Sequence, residues 1–348
     1  MKKTKVAVLG ASGYSGIELL RILLRHPAVE LVGVTSRQSA GKSIAAVFPR
    51  FSGVSVADGL KFIAPDADAI AATGAEFAFL ALPHGVAHEY AIGLLERGLK
   101  VIDLSADFRL DDAAGYEEFY DHPHPAPQLL AEAVYGLPEV NADAIRTARL
   151  VASPGCYPTS VLLPLIPLLR AGIIFPESIC VFSMSGVSGA GRKESISLLF
   201  CECNESVRAY SVPKHRHLSE IEQELSKAAG ECLRITFTPH LIPVTAGIAT
   251  TIYVEPRIWK ENEDLDSLYR EAYGRAPFVR LRGRNQCPDT KDVVRTNFID
   301  IGWAPDPRTG RFILMSAEDN LWKGAASQAV QSFNLMTACA ETAGLDWY

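Results

Sequence analysis

The feature that most constrains the fold of this chain is a glycine-rich turn near its amino terminus, between an apolar run and a helical pattern. The run Thr4–Leu9 has the continuous apolar character of a buried strand, and the turn after it reads Gly10-Ala11-Ser12-Gly13-Tyr14-Ser15-Gly16. Glycines at this spacing let the backbone approach a pyrophosphate at the N-terminus of the next helix. The order of strand, turn and helix therefore predicts a dinucleotide site, although a tight turn without a ligand would have the same pattern.

Further apolar runs extend this unit. Val29–Thr35, Phe77–Leu82 and Val101–Leu104 have the character of strands that are buried on both faces of a parallel sheet. Strands that alternate with helices predict an α/β, doubly wound domain up to Leu150–Ala152. The polar, Pro- and His-rich segment Asp111–Pro127 is expected to be an irregular surface excursion.

The character of the chain changes after Ala152. A helical run at Pro158–Leu169 leads into β-rich segments, which predict a second domain with a mixed sheet. These segments are Ser178–Ser185, Leu233–Thr238, Thr250–Glu255, Phe278–Leu281 and Asn297–Ile301. The stretch Asn320–Thr342 is rich in small residues and is expected to form one helix.

Length and composition indicate the number of domains and exclude several classes of function. A chain of 348 residues is too long for one ordinary core, so two domains are expected. The net charge of −6 argues against a general nucleic-acid binder. No signal peptide pattern opens the chain, and no apolar stretch reaches the roughly 18–20 residues that span a bilayer, so no membrane partner is expected. Seven scattered cysteines are typical of a reducing compartment, which predicts a cytoplasmic protein.

The end of the second predicted strand selects between the nicotinamide cofactors. NAD enzymes usually place Asp or Glu here to bind the ribose 2′-hydroxyl, whereas this chain has Thr35-Ser36-Arg37. A hydroxyl and a planar guanidinium suit a 2′-phosphate. NADP is therefore the expected cofactor, and the alternative is that Arg37 is a solvated loop residue.

Cys156 is the candidate nucleophile. It lies in Ser153-Pro154-Gly155-Cys156-Tyr157-Pro158-Thr159, between a loop and the first turn of a predicted helix. Unpaired N–H groups and the helix dipole at such a position lower the pKa of a thiol. The thiolate can then attack an activated carbonyl and hold it as a thioester. The alternative is a buried cysteine that fills a domain boundary.

Two histidines in Pro213-Lys214-His215-Arg216-His217 precede a predicted helix that begins near Leu218. A helix N-terminus favours neutral imidazole, which is a usable acid and base near neutral pH. Cys201 and Cys203 lie upstream, but Cys-x-Cys followed by His-x-His is not a usual zinc spacing, so no metal site is expected. Other histidines are interpreted as structural or solvent-facing, namely His84, His88, His122, His124 and His240.

Two loops supply further candidate ligand contacts. Ser183–Lys193 is rich in glycine and serine, and such a loop brings backbone donors and hydroxyls close to a ligand. Ser105-Ala106-Asp107-Phe108-Arg109 follows a predicted parallel strand, where α/β proteins bind ligands. Arg109 is expected to clamp a carboxylate or phosphate, with an ion pair to Asp103 or Asp107 as the alternative.

The motifs taken together resemble one family. GASGYSG, LSADFR, SPGCYPT, SGVSGAG, KHRH, TKDV and NLWKGAASQA occur in this order over nearly the whole chain. The set resembles the N-acetyl-gamma-glutamyl-phosphate reductases of arginine biosynthesis, which are related to aspartate-semialdehyde dehydrogenases. The resemblance implies a Rossmann-type NADP-binding domain from residues 1–152 and 318–348. It also implies a central α+β catalytic and dimerisation domain with a mixed sheet, residues 153–317, and a homodimer or homotetramer.

The same resemblance implies a reaction and a set of site residues. The substrate would be N-acetyl-glutamyl 5-phosphate, reduced with NADPH to the 5-semialdehyde through a thioester on Cys156, with His217 as acid and base. Arg109, His215, Ser188 and Lys193 would lie near the substrate. The residues that would contact NADP are Gly10, Ser12, Gly13, Tyr14, Ser15, Gly16, Ser36, Arg37, Pro83, Ser185, Gly186, Gly189 and Asn320.

The chain departs from the family pattern at Ala246, where arginine commonly precedes the glycine here numbered Gly247. If that arginine holds substrate, its loss leaves the acyl group open, and N-acetyl-aminoadipyl or aspartyl phosphate are alternatives. A non-catalytic, NADP-sensing regulator on the same fold is an alternative of another class. A phosphorylating aldehyde dehydrogenase of glycolytic type would use NAD, which the pair Ser36-Arg37 disfavours.

Overall fold

The computed structural model describes residues 2–192, 194–260 and 264–345. The chain divides into two compact units. The first consists of Met1–Ala114, Pro123–Pro154 and Ala325–Tyr348. The second consists of Gly115–His122 and Gly155–Gly324. Within the described residues, no helix is long and apolar enough to cross a membrane.

The first unit is built on a parallel sheet, as the uninterrupted apolar runs predicted. Its strands are β1 (Thr4–Leu9), β2 (Val29–Val34), β3 (Phe77–Leu80), β4 (Lys100–Asp103), β5 (Val134–Tyr135) and β6 (Leu150–Ala152). They are ordered β2-β1-β3-β4-β6-β5, and every neighbouring pair is parallel. All four residues of β3 are buried, because helices cover both faces of such a sheet.

The second unit is built on a mixed sheet, which confirms the predicted fold class. Its strands are β7 (Ile174–Gly186), β8 (Arg208–Ala209), β9 (Thr236–Ile242), β10 (Ile248–Pro256), β11 (Val279–Arg284), β12 (Ile299–Asp306) and β13 (Arg311–Glu318). Their order is β11-β12-β13-β10-β7-β9-β8. The pairs β7–β9 and β11–β12 are parallel and the other pairs are antiparallel. The sequence pattern missed β13, which begins on a charged arginine and ends on a charged glutamate.

Helices connect the strands of both units. They are α1 (Tyr14–Leu23), α2 (Ile44–Val47), α3 (Ser55–Gly59), α4 (Ala67–Ala72), α5 (Ala87–Glu96), α6 (Ala113–Tyr120), α7 (Pro138–Thr147), α8 (Cys156–Arg170), α9 (Phe200–Cys203), α10 (Arg216–Ala229), α11 (Leu265–Tyr273) and α12 (Ser327–Met336). α8 packs on β7, β10 and β13, and α10 and α11 pack on α8. Helix α8 therefore lies in the core of the second unit, with Tyr157–Leu169 buried and Cys156 half-buried at its amino-terminal end.

Helix α8 contains two prolines, whose missing N–H groups each leave one helical carbonyl without its usual donor. Pro164 cannot donate to the Ser160 carbonyl, and the Ser316 hydroxyl of β13 donates to that oxygen instead at 2.7 Å. Pro167 cannot donate to the Leu163 carbonyl, and the Tyr273 hydroxyl of α11 donates there at 2.8 Å. Tertiary contacts thus replace the hydrogen bonds that the prolines remove.

Two expectations about local structure were wrong. The segment Asp111–Pro127 is not irregular throughout, because it contains α6; Tyr116 is fully buried and stacks on Tyr120 with ring centroids 4.5 Å apart. The final stretch is not one α-helix. Trp322–Ala326 form a π-helical turn and α12 ends at Met336.

Candidate active site

The glycine-rich turn of the first unit packs too closely for side chains. A Cβ atom on Gly10, whose φ is +77°, would lie 2.3 Å from the Ala81 carbonyl oxygen. A Cβ on Gly16 would lie 2.6 Å from the Gly10 carbonyl oxygen. Gly13 is the N-cap of α1, and no side chain caps the helix and no acidic residue lies in its first turn, which contains Tyr14 and Ser15. A backbone cradle at an uncapped helix N-terminus suits a pyrophosphate.

The other cofactor residues predicted in the first unit follow neighbouring strands. Ser36 and Arg37 follow β2, and Pro83 follows β3, while the glycine-rich turn follows β1 between them in the sheet. Parallel strands end at one edge, so these loops lie side by side. The Ser36 hydroxyl donates to the Ser12 hydroxyl at 3.3 Å, and Arg37 Nη2 donates to the Tyr90 hydroxyl at 3.4 Å.

Arg109 is buried in the first unit, where its guanidinium contacts main-chain oxygens. Nε donates to the Ser153 carbonyl at 2.8 Å and Nη2 to the Leu104 carbonyl at 2.9 Å. No salt bridge to Asp103 or Asp107 is seen among the described residues. Burial, and then the charge of Asp107, raise the pKa of Asp103 to about 7.

Asp107 has a capping role that the sequence did not reveal. Its Oδ1 accepts the Gly85 N–H at 2.7 Å and its Oδ2 accepts the His88 N–H at 3.2 Å, just before and within the first turn of α5. A carboxylate at a helix N-terminus satisfies N–H groups that have no helical acceptor. His124 contacts the Asp107 carbonyl and is buried, in agreement with its structural interpretation.

In the second unit, Cys156 is the first residue of α8. Its N-cap, Gly155, is extended, with φ −69° and ψ 158°, and no side chain caps the helix. The Gly155 N–H donates to Glu220 Oε1 at 2.8 Å, and Glu220 is 2% exposed. Because Glu220 belongs to α10, this bond ties the turn of the cysteine to the helix that carries His217.

The two histidines lie at the start of α10, His215 as its N-cap and His217 in its first turn, beside the Tyr157 ring. The centroid of the Tyr157 ring is 5.5 Å from that of His215 and 5.9 Å from that of His217. The two imidazole centroids are 4.9 Å apart. The structure thus brings together the residues on either side of Cys156 and both histidines of the KHRH motif.

The two histidines differ in their hydrogen bonds and protonation. His215 is the N-cap of α10, and its Nδ1 accepts the His217 N–H at 3.0 Å. The neutral ring therefore carries its proton on Nε2. Burial, and then the charge of Arg216, lower the pKa of His215 to about 4. His215 is thus neutral at physiological pH.

A pair of tyrosines supports the histidines, and the sequence did not single them out. The Tyr210 hydroxyl donates to the Tyr157 hydroxyl at 3.0 Å, and Tyr157 donates to the His240 carbonyl at 3.4 Å. Burial raises the pKa of Tyr210 to about 12 and raises that of Tyr157 further. Both phenols therefore remain protonated and orient the rings around them.

The SGVSGAG loop and the segment around Ala246 are bonded to each other. The Gly186 N–H donates to the Gly247 carbonyl at 3.0 Å, and the Ser188 N–H to the Thr245 carbonyl at 3.0 Å. A Cβ on Gly186 would lie 2.8 Å from the Ala246 nitrogen. This close approach explains a glycine at position 186.

Asn320 joins the same two loops. Its Oδ1 accepts the Gly247 N–H at 2.8 Å, and its Nδ2 donates to the Ser188 hydroxyl at 2.9 Å. Ser185 is buried, and a Cβ on Gly189 would lie 3.1 Å from its hydroxyl. The predicted contacts of these residues with NADP or substrate remain predictions, and Lys193 lies outside the described residues.

Gly324 of the π-helical turn lies against the nucleophile. A Cβ atom at Gly324 would be 2.7 Å from Cys156 Cβ and 3.0 Å from Glu318 Oε1. Only glycine therefore fits beside the cysteine without displacement. Neither Gly324 nor Glu220 was singled out from the sequence. A spacing of one helical turn from His217 is the signal that could have found Glu220.

The described part of the chain contains no cluster of three His, Cys, Asp or Glu side chains that could hold a metal ion. The Cys203 thiol donates to the Ser197 carbonyl at 3.2 Å, within its own segment. The Tyr157 ring, which follows Cys156 in α8, lies beside both imidazoles, and this placement is compatible with the predicted pairing of a cysteine nucleophile and a histidine.

Comparison with known families matches both halves of the chain. Residues 5–148 match the family described as semialdehyde dehydrogenase, NAD binding domain. Residues 156–320 match the family described as semialdehyde dehydrogenase, dimerisation domain. Aspartate-semialdehyde dehydrogenase II of Vibrio cholerae, complexed with ASA, is 21% identical with a TM-score of 0.72 over 100% of both chains. The Candida albicans enzyme with NADP is 14% identical with a TM-score of 0.72 over 97% of this chain and 99% of that one, and both show the fold alone.

Curated relatives match over the full length. A protein of Akkermansia muciniphila named N-acetyl-gamma-glutamyl-phosphate reductase is 65% identical over 345 residues, 99% of this chain and 99% of its own. Proteins of the same name from Citrifermentans bemidjiense and Desulfotalea psychrophila are 50% and 48% identical, each over 98% of both chains. With its cysteine at the start of α8 and both of its domains matched, this chain belongs to the N-acetyl-gamma-glutamyl-phosphate reductase family.

Proposed function

We propose that the protein reduces N-acetyl-glutamyl 5-phosphate to N-acetyl-glutamate 5-semialdehyde with NADPH and releases phosphate. The observation that carries the proposal is the tie between the two helix starts, in which Glu220 holds the Gly155 N–H and so places Cys156 beside the first turn of α10. The names of the full-length relatives supply the acyl phosphate, and we propose that the reaction serves arginine biosynthesis, as the resemblance implies. Residues 1–152 with 318–348 would bind the cofactor, and residues 153–317 would carry catalysis.

Cys156 begins the reaction as a nucleophile. Its thiolate attacks the acyl carbonyl, an S–C bond forms, and the C–O bond to the phosphate breaks, so that phosphate leaves with the electron pair. Cys156 is the first residue of α8, which has no side-chain cap and no acidic residue in its first turn, and the positive end of the helix dipole there favours negative charge. The product of this step is a thioester on Cys156.

The first unit has the residues to hold NADP. The Gly10–Gly16 backbone would take the pyrophosphate, and Ser36 with Arg37 the 2′-phosphate. NADPH, when bound, supplies the hydride that reduces the thioester carbon. Cys156 then leaves as thiolate from the resulting thiohemiacetal, whose hydroxyl proton is removed as the aldehyde forms.

His217 is the proposed acid and base for these proton transfers, and His215 is the proposed neutral neighbour that contacts substrate. Nδ1 of His215 accepts the backbone N–H of His217, and the lowered pKa of His215 keeps its ring neutral near neutral pH. The roles of the two histidines therefore differ although they are two residues apart.

A second copy of the chain is the proposed partner. The outer face of the seven-stranded sheet leaves Phe182 and Tyr253 exposed at 36% and 39%, and Cys180 is exposed next to Tyr253 in the register of β7 and β10. We propose that this face forms a homodimer, with a homotetramer as a further association. Phe182→Glu should convert the dimer to a monomer in sedimentation analysis. An unchanged mass would reject this face.

The central test is Cys156→Ser. We expect a loss of several orders of magnitude in kcat for the phosphate-dependent oxidation of N-acetyl-glutamate 5-semialdehyde, because the serine hydroxyl has a far higher pKa. Cys232→Ser is the matched control, since Cys232 is exposed and outside the site, and its activity should not change. Near-normal turnover by Cys156→Ser would refute the covalent mechanism.

Two alternatives are separated by further measurements. Comparing the semialdehydes of N-acetyl-glutamate, N-acetyl-aminoadipate and aspartate identifies the acyl chain that Ala246 leaves open. A non-catalytic NADP-sensing protein would show no activated thiol. Alkylation of Cys156 should therefore proceed well below about pH 8.5 in an enzyme, and only near that pH in a sensor.

A cytoplasmic location remains a prediction; no disulfide joins any two of the cysteines.

A further inference from the structure

The proposed substrate carries a carboxylate on the carbon that bears the acetamido group, and this inference rests on that proposed function. A carboxylate in a binding site is usually held by an arginine, whose planar fork forms paired hydrogen bonds. Ala246 offers no charge. Nε and Nη2 of Arg109 donate to main-chain carbonyls in the first unit. A segment that packs against position 246 is a further source of a cation for the carboxylate.

Arg295 is exposed and its guanidinium is uncommitted. Within the described residues it makes no side-chain hydrogen bond and no salt bridge, whereas its main-chain N–H donates to Asp319 Oδ2 at 2.7 Å. Its φ is +64°, in the left-handed region where glycine is favoured and a branched or long side chain is uncommon. Non-glycine residues with such a backbone cluster at active sites and ligand contacts, which makes Arg295 a candidate contact.

The segment that carries Arg295 packs against the position of the missing arginine. A Cβ on Gly247 would lie 3.0 Å from Thr290 Cβ and 3.4 Å from Val294 Cγ2, so residues 290–294 touch the chain directly after Ala246. Gly247 is in turn bonded to Asn320. A side chain from residue 295 thus starts beside the loop where position 246 lies.

Asp319 links Arg295 to the nucleophile. Its Oδ2 accepts the Arg295 N–H, and its carbonyl accepts the Gly324 N–H at 2.9 Å. Gly324 touches Cys156. Burial raises the pKa of Asp319 and the charge of Arg295 opposes this rise, which indicates that the guanidinium lies near that carboxyl. The main chain of Arg295 is therefore fixed relative to Cys156.

We propose that Arg295 binds the carboxylate of the substrate, in the place that Ala246 leaves without a cation. Arg295 would then select acyl phosphates that carry a carboxylate at this distance from the reacting carbonyl. The left-handed backbone of Arg295 would destabilise the folded protein slightly, and the protein would tolerate this because the segment places the guanidinium near the substrate.

The test compares two aldehydes in the phosphate-dependent direction, N-acetyl-glutamate 5-semialdehyde and 4-acetamidobutanal, which lacks only the carboxylate. For Arg295→Gln we expect KM for the first aldehyde to rise about 10- to 100-fold, the effect of losing hydrogen bonds to a charged group, with kcat nearly unchanged. KM for 4-acetamidobutanal should stay the same. Arg295→Lys should recover part of the affinity.

Two further variants separate binding from structure. Arg295→Gly relieves the left-handed backbone, so its melting temperature should rise by about 2 °C while its KM for the carboxylate substrate rises as in Arg295→Gln. Adding Ala246→Arg to Arg295→Gln should lower KM again. Arg282→Gln is the matched control, since Arg282 is also an exposed arginine of the second unit, on β11.

The outcomes are distinct. If the unaltered protein oxidises neither aldehyde, the proposed function fails. If it oxidises N-acetyl-glutamate 5-semialdehyde and Arg295→Gln leaves KM unchanged, or raises KM equally for both aldehydes, the assignment of Arg295 is overturned.

Discussion

Helices α1 and α8 begin in nearly the same way, yet different parts of the sequence determine the two starts. Each has a glycine N-cap, with φ −75° and ψ 168° at Gly13 and φ −69° and ψ 158° at Gly155. Neither has a side-chain cap or an acidic residue in its first turn. Both ends therefore favour a negative charge, and the proposed charges are a cofactor phosphate at α1 and the Cys156 thiolate at α8.

The two starts differ in what surrounds them. At α1 the neighbours of Gly16 are Gly10 and Ala11, residues of the same turn. At α8 the neighbours are Glu220 and Gly324, which are distant in sequence. A few consecutive residues can specify a phosphate-binding turn, because its glycines only have to keep side chains away from the phosphate. A nucleophile needs partners from several elements, since its reaction requires an acid, a base and a fixed orientation.

The largest effect is expected at the locally encoded start. Gly16→Ala would place a Cβ 2.6–2.8 Å from three backbone atoms, none of which is a flexible side chain. We expect a loss of about 3 kcal/mol in the free energy of unfolding, measured by denaturant titration, together with weaker NADPH binding. Gly59→Ala is the control, because a Cβ there meets nothing within 4 Å. Equal stability of both variants would contradict the steric argument.

A smaller effect on stability but a large one on rate is expected at Gly324. A Cβ here would lie 2.7 Å from Cys156 Cβ and displace the nucleophile. For Gly324→Ala we expect kcat to fall roughly 30-fold, equivalent to about 2 kcal/mol of barrier, with KM for NADPH unchanged. A change confined to NADPH binding would show that this glycine serves the cofactor and not the cysteine.

Variants at Glu220 test the hydrogen bond that joins the start of α8 to α10. Glu220→Ala leaves the buried Gly155 N–H without its acceptor, which costs about 1–2 kcal/mol of stability and should lower kcat by about tenfold. Glu220→Gln keeps an amide oxygen for the same bond and should be milder. Steady-state kinetics and thermal melts of the two variants decide this, and identical losses would indicate that the charge matters more than the hydrogen bond.

The smallest effect concerns the pH dependence of stability. The pKa of His215 is about 4 in the folded protein and near 6.5 when unfolded, so the unfolded chain binds the additional proton between these values. Stability is thus complete above pH 6.5 and falls as the pH decreases towards 4, by at most about 1.4 kcal/mol per pH unit. His215→Asn keeps an N-cap acceptor and should flatten this slope in denaturant titrations. An unchanged slope would mean that other groups cause it.

The same contrast explains how much the sequence predicted. The Rossmann-type unit, its first strand with exact bounds, the mixed sheet and the helix after Cys156 follow from periodicity and turn residues. Helix α6 was missed because its aromatic residues are separated by charged ones, and its Tyr116 is buried only through tertiary contacts. The roles of Asp107 and Gly324 were not predictable, because each acts on a partner at least 19 residues away in the chain. The spacing from His217 could have indicated Glu220 as a residue near the site, but not its bond to the distant Gly155 N–H.

The prolines of α8 have a consequence for biosynthesis of the protein. Two carbonyls of this helix accept hydrogen bonds from the hydroxyls of Tyr273 and Ser316, which the ribosome adds more than 100 residues after Leu163 and Ser160. The helix is therefore incomplete on a nascent chain that ends before β13. A truncated or stalled chain would therefore lack two of the donors that complete the helix beginning at Cys156, and this helix is completed only when translation is nearly finished.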